Sequence, residues 1–592
     1  MRNVANRGAE NMDNPTEEAR NMPLQIAMAR ILMLCFFAEH DISLNIADHF
    51  CDMTKRMFPD SAIARGLHQK RTKATDMTKK MASCITADLA KDLQRYKFSI
   101  IVDETTDCSK HKCFAILVKY LDESENTIKT KIFDLKDVYS NENALVGSTG
   151  EALYEMIKST LIFHMIPFDN VVGFSADTTS NMFGIHNSIV SRLHRDFPNI
   201  ACFKCKCHSF ALCASEAAKT LPRWVETLLR NVFNFFSHSA KRRYEYETFQ
   251  EIHEIEPSQL LHPSITRWLS YFEAVKRFVQ HYGPLKSFFT RIQPHEHLES
   301  VDNIVRDLND PSTLIYLNYL NYILEHVTNV NKLFQREGPT IFHVNSAVSK
   351  LYQLILSDFC INEHVINANF ATFDPSLPSN HKEDIYLGAE NKLLFKKAEY
   401  VNKPGMVLEV KRRCRVFMIK LCEEIKKRYD FADPLFAMIS FFGPQKILKP
   451  DTRDLLPSLV DLVARVPRLY KGDLQTLDNE WRALDTSIIP DYLRNYNSER
   501  HGPVYFYQEL AKVEFDNELL FKNLSTFALR ILALPISNAD VERLFSELGN
   551  IKTDKRNQMS IPVARSLLQI KDWIKEQEAC FECHPTPEML DL

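Results

Sequence analysis

Strand-like sequence is confined to one narrow window of this 592-residue chain, and that confinement limits the folds open to it. "KFSIIVD" (97–103), "CFAILVKYL" (113–121) and "TIKTKIFDLKDVY" (127–139) follow one another across short polar turns. A helical stretch, "TGEALYEMIKSTLIF" (149–163), and a fourth strand, "NVVGFSAD" (170–177), complete the window. Continuous Val/Ile-rich runs of this kind are strands buried on both faces. Apolar residues at helical spacing dominate 23–95, and they return from about 215 to 525 in stretches such as "WVETLLRNVFNFFSH" (224–238). The fold class is therefore α/β with a large all-α insertion. No fixed-period repeat is present, so the helical block is not a solenoid.

Three meandering strands, a helix and another strand is the order of a ribonuclease-H-like core, here interrupted by a helical domain. The expected organisation is a flexible N-terminus (1–22), a helical N-terminal region (23–95) and the first part of the core (96–215). A helical insertion domain (216–525), the C-terminal part of the core (526–578) and a tail (579–592) follow. The polar, Pro-bearing interval 372–390 is expected to be a long loop within the insertion.

Composition removes several function classes. Glycine numbers only 14, and neither a Walker A nor a G-x-G-x-x-G pattern occurs, so no nucleotide cofactor is expected. Net charge is −3; any nucleic-acid contact must come from local basic runs such as "QKRTK" (69–73), "AKRRYE" (240–245) and "VKRRCR" (410–415), each of which more often reads as a solvated helix face. The most apolar run, "IAMARILMLCFFA" (26–38), is short for a bilayer and contains Arg30, so no membrane is expected. The 14 cysteines are expected to be reduced thiols.

Two carboxylates stand at the ends of apolar strands. Asp103 closes "FSIIVD" and Asp177 closes "VVGFSAD", each followed by hydroxyl-bearing residues. Asp177 reads either as a helix cap or as one of a facing pair whose mutual repulsion a divalent cation relieves. In "LPISNADVERLFSELGNIKTDKRNQMS" (534–560), Ser537 and Asp540 are spaced as a capping box, and Val541, Leu544, Phe545 and Leu548 form a buried stripe. Glu542 shares a second stripe with the small residues Ala539, Ser546 and Gly549, which would let its carboxylate approach a sheet, although from these residues alone a surface glutamate beside Arg543 is the more common reading. Asp540 and Glu547 fall on more exposed angles. "CFKCKCHSFALC" (202–213) is a single knuckle without a second, so no zinc is expected. "CFECH" (580–584) spells a haem-attachment motif and is read as coincidence.

Together, "IIVDETTD", "GFSADTTSNMFG", "CKCHSFAL", "TRW" and above all "NADVERLFSELGNIKTDKRN" resemble the transposases of the hAT superfamily, over roughly residues 60–575. The resemblance implies a carboxylate triad of the DDE type, Asp103, Asp177 and Glu542, holding a two-metal Mg²⁺ (or Mn²⁺) site. Such a site activates water or a DNA 3′-hydroxyl for phosphodiester attack. It places His208, of the Cys205-x-x-His208 pattern, where it could orient DNA. Arg267 would contact phosphate and Trp268 would stack on an extruded base; Trp268 reads equally as core of a helix continuing through Phe272, Val275 and Val279. Lys552, Lys555 and Arg556 would neutralise phosphates. The segment 526–575 would mediate self-association into at least a dimer through Val563, Leu567, Ile570 and Ile574, a stripe that could instead pack on its own core. The family's BED-type zinc finger finds no counterpart in the first sixty or so residues, so weak sequence selectivity is expected. The implied function is a nuclear DNA transposase or direct derivative; the alternative is a domesticated, catalytically inactive nuclear dimer that binds DNA or protein in transcriptional regulation.

Overall fold

The computed structural model describes residues 17–141, 143, 145–263, 268–296, 298–484, 489–497 and 500–592. They divide into two compact units: residues up to Gly173 with Ser180–Ile200 and Asp540–Leu592, and Phe174–Thr179 with Ala201–Ala539.

In the first unit, helices α1 (Glu17–Glu39) and α2 (Arg71–Arg95) precede three antiparallel strands, β1 (Phe98–Thr106), β2 (Lys112–Asp122) and β3 (Thr127–Asp137). Ile100 faces Val118 and Ile101 faces Leu117 in the β1–β2 register, and β2–β3 slips once at Ile116/Leu117. Helix α3 (Gly150–Phe163) is opened by Thr149, whose hydroxyl accepts the Ala152 amide. Strand β4 (Val171–Ala176) is buried throughout. With β5 (Ala201–Lys204) the mixed sheet runs β3-β2-β1-β4-β5. The four predicted strands and the helix between them are all present. Strand β5 was not expected, because four residues, "ACFK", carry too little pattern to separate from a cysteine cluster.

Helix α1 begins at Glu17, inside the stretch expected to be flexible. Its segment Asn21–Glu39 is long and apolar enough to cross a membrane by length and composition. In this unit, however, Ile31, Leu34 and Phe37 are fully buried core residues. The chain returns to the unit through α6 (Ala539–Ile551) and α7 (Ile561–Ile574), the latter packed on α1, α2 and β3. One apolar cluster joins Ile31, Leu34, Met77, Met81, Ile132, Leu135, Leu548 and the inner face of α7. Arg565 donates to Asp134 at 2.8 Å and Gln569 donates to the Phe133 carbonyl at 3.1 Å, fixing the rotation of α7 on the sheet.

This corrects the expectation for the dimer stripe. Leu567, Ile570 and Ile574 are 2%, 0% and 2% exposed, and Val563 packs against the same cluster. They belong to the chain's own core. An apolar stripe at the end of a chain is satisfied by whichever surface reaches it, and here α2 and the sheet do so first.

The second unit is helical. Helix α4 (Lys206–Ala218) packs against two long helices, Pro311–Gln335 and Pro404–Arg428, and a third, Val344–Phe359, joins them. A further helix is Trp268–Gln280, with Phe272 and Val275 buried and Val279 half-buried. The expected 372–390 loop is largely irregular, with a short 3₁₀ turn at Pro378–Asn380 and a bridge from Cys360 to His381. A small hairpin, β6 (Glu514–Phe515) and β7 (Glu518–Leu519), was not foreseen. Asp516 and Asn517 take φ values of 51° and 65° at its turn.

Candidate functional site

Asp103 lies within β1 rather than at its end. Phe98–Val102 are buried and exposure begins at Asp103, but the ladder with β2 continues to Thr106 opposite Lys112. The reason is the hairpin turn. Asp107 accepts the amides of Ser109 and His111 at 2.8 and 2.9 Å, closing the turn three residues beyond the last β1 pair that the apolar run predicts. Asp103 is half-buried opposite the small side chain of Ala115, and its Oδ1 accepts the Glu104 amide. Glu104 pairs with Lys112 at 3.2 Å and accepts the Ser148 hydroxyl.

The chain beyond α6 is fastened to this hairpin. Lys552 Nζ lies 2.5 Å from Asp107 Oδ2, with the two side chains 1% and 2% exposed. The Cys108 thiol donates to the Lys552 carbonyl and the Ser109 hydroxyl to the Asn557 carbonyl. Burial alone would raise the Asp107 carboxyl, but Lys552 and the two turn amides outweigh it and hold it below its ordinary range. Lys552 is thus a structural cation and not a phosphate contact. Arg556 is half-buried and donates to the Asp41 carbonyl at 2.7 Å, while Lys555 is exposed. Of the three basic residues after α6 expected to neutralise phosphates, two face inward.

Helix α6 buries Val541, Leu544 and Leu548 as its spacing requires, and Phe545 packs on the same cluster. Ser537 accepts the Ala539 amide at its start. Glu542 is exposed, and so are Ser546 and Gly549. A Cβ on Gly549 would meet nothing within 4 Å, so the small stripe does not bring the carboxylate against a packed surface. Asp540 and Glu547 are the less exposed acids, engaged by Arg543 and by Lys575. The expected ranking of the three acids is reversed, because the 3.6-residue turn carries Glu542 to the side away from the 541/544/548 stripe.

In the second unit, three stretches far apart in sequence are hydrogen-bonded together. The Ser175 hydroxyl donates to Asn538 Oδ1 at 3.1 Å, and the Cys205 amide donates to the Ala176 carbonyl at 2.9 Å. The Lys206 amide donates to the Ile536 carbonyl, and the Asn538 amide to Cys205 Sγ. Asp177 follows directly, half-buried, with Oδ1 accepting the amide and hydroxyl of Thr179. His208, on the first turn of α4, is near enough to feel its charge. Burial holds the imidazole below its ordinary value while Asp177 pulls the other way. Lys206 lies 5.5 and 4.8 Å from the centroids of Tyr429 and Phe436, and burial pushes it down to about 8. Sequence reasoning missed Ser175, Asn538 and Lys206; the only signal was their position inside motifs singled out for other residues. Asp103 and Glu542 belong to the first unit and Asp177 and His208 to the second. Arg267 lies outside the described residues. Trp268 opens its helix, and its side chain is likewise outside them.

Comparison with known proteins finds two matching segments. Residues 54–188 match the family described as ZMYM1/FAM200, RNase-like domain. Residues 505–574 match the hAT family C-terminal dimerisation region. The chain is hAT-related. It is also similar to a General transcription factor II-I repeat domain-containing protein 2 of Bos taurus, with 21% identity over 352 residues, covering 57% of this chain and 33% of that protein. The hAT-related chain thus spans about a third of that relative's length. Its dimerisation match includes β6, β7, α6 and α7.

Proposed function

We propose that this hAT-related chain is a DNA transposase or its direct derivative, cutting and joining DNA through Asp103, Asp177 and Glu542 on a ribonuclease-H-like core. The observation that supports it most is the hydrogen-bonded meeting of "GFSAD", "CKCH" and "ISNA" through Ser175, Cys205, Lys206 and Asn538. Three motifs of the resemblance, distant in sequence, thereby share one neighbourhood, with Asp177 and His208 beside it. Three carboxylates, none deeply buried, are a hard-oxygen donor set that suits Mg²⁺ or Mn²⁺. When bound there, such metals supply Lewis acidity toward a phosphodiester and its attacking oxygen. His208, beside Asp177, can donate to a DNA oxygen. Lys555 remains as an exposed phosphate contact.

The second reading is a domesticated nuclear dimer that binds DNA or protein without cutting. It is favoured by the burial of Lys552 and the inward bond of Arg556, which withdraw two phosphate contacts. The relative named for a transcription factor repeat domain points the same way. Supercoiled plasmid incubated with the full chain and Mg²⁺ or Mn²⁺ separates the two. Nicking by the parent that disappears in Asp103→Asn is the expected result; absence of nicking with either metal, alongside retained DNA binding, selects the second reading.

A further inference from the structure

We infer that Glu39, His40 and Cys580 form a binding site for zinc that fastens the C-terminal tail to the end of α1. The donor atoms of Glu39, His40 and Cys580 all lie within 4.8 Å of one another, the one such grouping of metal-ligating side chains found among the described residues. Nε2 of His40 is 3.3 Å from a Glu39 oxygen, and the Cys580 thiol hydrogen-bonds to Glu39. Cys583 follows at C-x-x-C spacing across a 3₁₀ turn, Cys580–Glu582, that packs on α1. Both sulfurs are buried, each residue 4% exposed, whereas His40 stands open at the rim.

The donor types decide the ion. A thiolate, an imidazole and a carboxylate are three donors of the kinds zinc takes, with a fourth position for water, and the soft sulfur disfavours Mg²⁺. A thiolate and a carboxylate at this separation repel one another once ionised, and a cation between them turns that repulsion into bonding. Cys35, fully buried on α1, lies beside Cys583, whose thiol donates to the Ala579 carbonyl at 3.6 Å. The "CFECH" motif thus supplies one donor, Cys580, and the other two stand at the end of α1, more than five hundred residues away in sequence.

The test uses the full chain purified without chelator. One equivalent of zinc per chain by mass spectrometric metal analysis is expected, falling to background in Cys580→Ser and in His40→Ala. His40 is exposed, so His40→Ala separates loss of a ligand from loss of the fold, with circular dichroism as the control. Cobalt loaded into the metal-free chain should give thiolate-to-cobalt charge transfer and tetrahedral visible bands, absent in Cys580→Ser. Asp103→Asn should retain its zinc, which keeps this site independent of the catalytic reading. Substoichiometric zinc and cobalt in the parent, zinc retained in both ligand variants, or a Cys35–Cys583 disulfide by peptide mapping in place of metal would each overturn the proposal.

Discussion

A lysine and an aspartate that are almost wholly buried stay charged only as a pair, and Lys552 with Asp107 is such a pair. Removing one member strands the other. Lys552→Met is expected to lower stability by about 3–5 kcal/mol in urea unfolding, and Lys552→Met/Asp107→Asn to recover much of the loss. Because the Asp107 carboxyl is held below its unfolded value, its contribution is present above the ordinary carboxylate range and is lost as pH falls through the folded value. The acid limb of the stability profile should flatten in Lys552→Met. Asp358 behaves oppositely. It is 6% exposed, Tyr322 donates to both its oxygens at 3.1 and 3.0 Å, and burial pushes it up to about 7. The folded state then holds a proton that the unfolded state releases, so stability declines as pH rises from the ordinary carboxyl range to about 7. Asp358→Asn should raise the melting midpoint above pH 7, by on the order of a few kcal/mol in stability, and leave it little changed near pH 4. Thermal melts across that range check the sign.

Elements carry the next set of consequences. Helix α7 is buried along Ala564, Leu567, Leu568, Ile570 and Ile574 and bonded to the sheet through Arg565 and Gln569. Deleting 560–592 should therefore yield an insoluble or molten product that binds hydrophobic dyes, rather than a soluble monomer. A soluble, cooperatively melting truncation would show that the unit's core closes without α7. Dimer contacts are then expected in other parts of 505–574. The β6–β7 hairpin presents Phe515 and Leu519 at 65% and 48% exposure within that match. Phe515→Ser with Leu519→Ser should shift the monomer–dimer equilibrium toward monomer in light scattering while leaving the melting midpoint unchanged.

For the molecule as a whole, any DNA affinity is expected to follow charge and not motif. With net charge −3 and Lys552 and Arg556 turned inward, the remaining cations are dispersed. Binding should be weakly sequence-selective and fall steeply with salt, as phosphate neutralisation does. Competition between random duplex and candidate terminal-repeat DNA at two salt concentrations measures this; a preference that survives the higher salt would reveal base readout. The sequence by itself determined what depends on local periodicity. Double-sided burial writes β1, β2 and β4 as continuous apolar runs, and the 541/544/548 stripe writes α6. It also marked Asp103 and Asp177 as the acids that follow those runs. Only the tertiary structure decided which way the ambiguous residues face. Lys552 reads as a surface cation until Asp107 meets it, and the α7 stripe reads as a dimer seam until α2 and β3 cover it. Cys580 reads as coincidence until His40 stands beside it. Periodicity reports that a side chain is buried or charged, whereas its partner is set by chain segments hundreds of residues away, to which local pattern is blind.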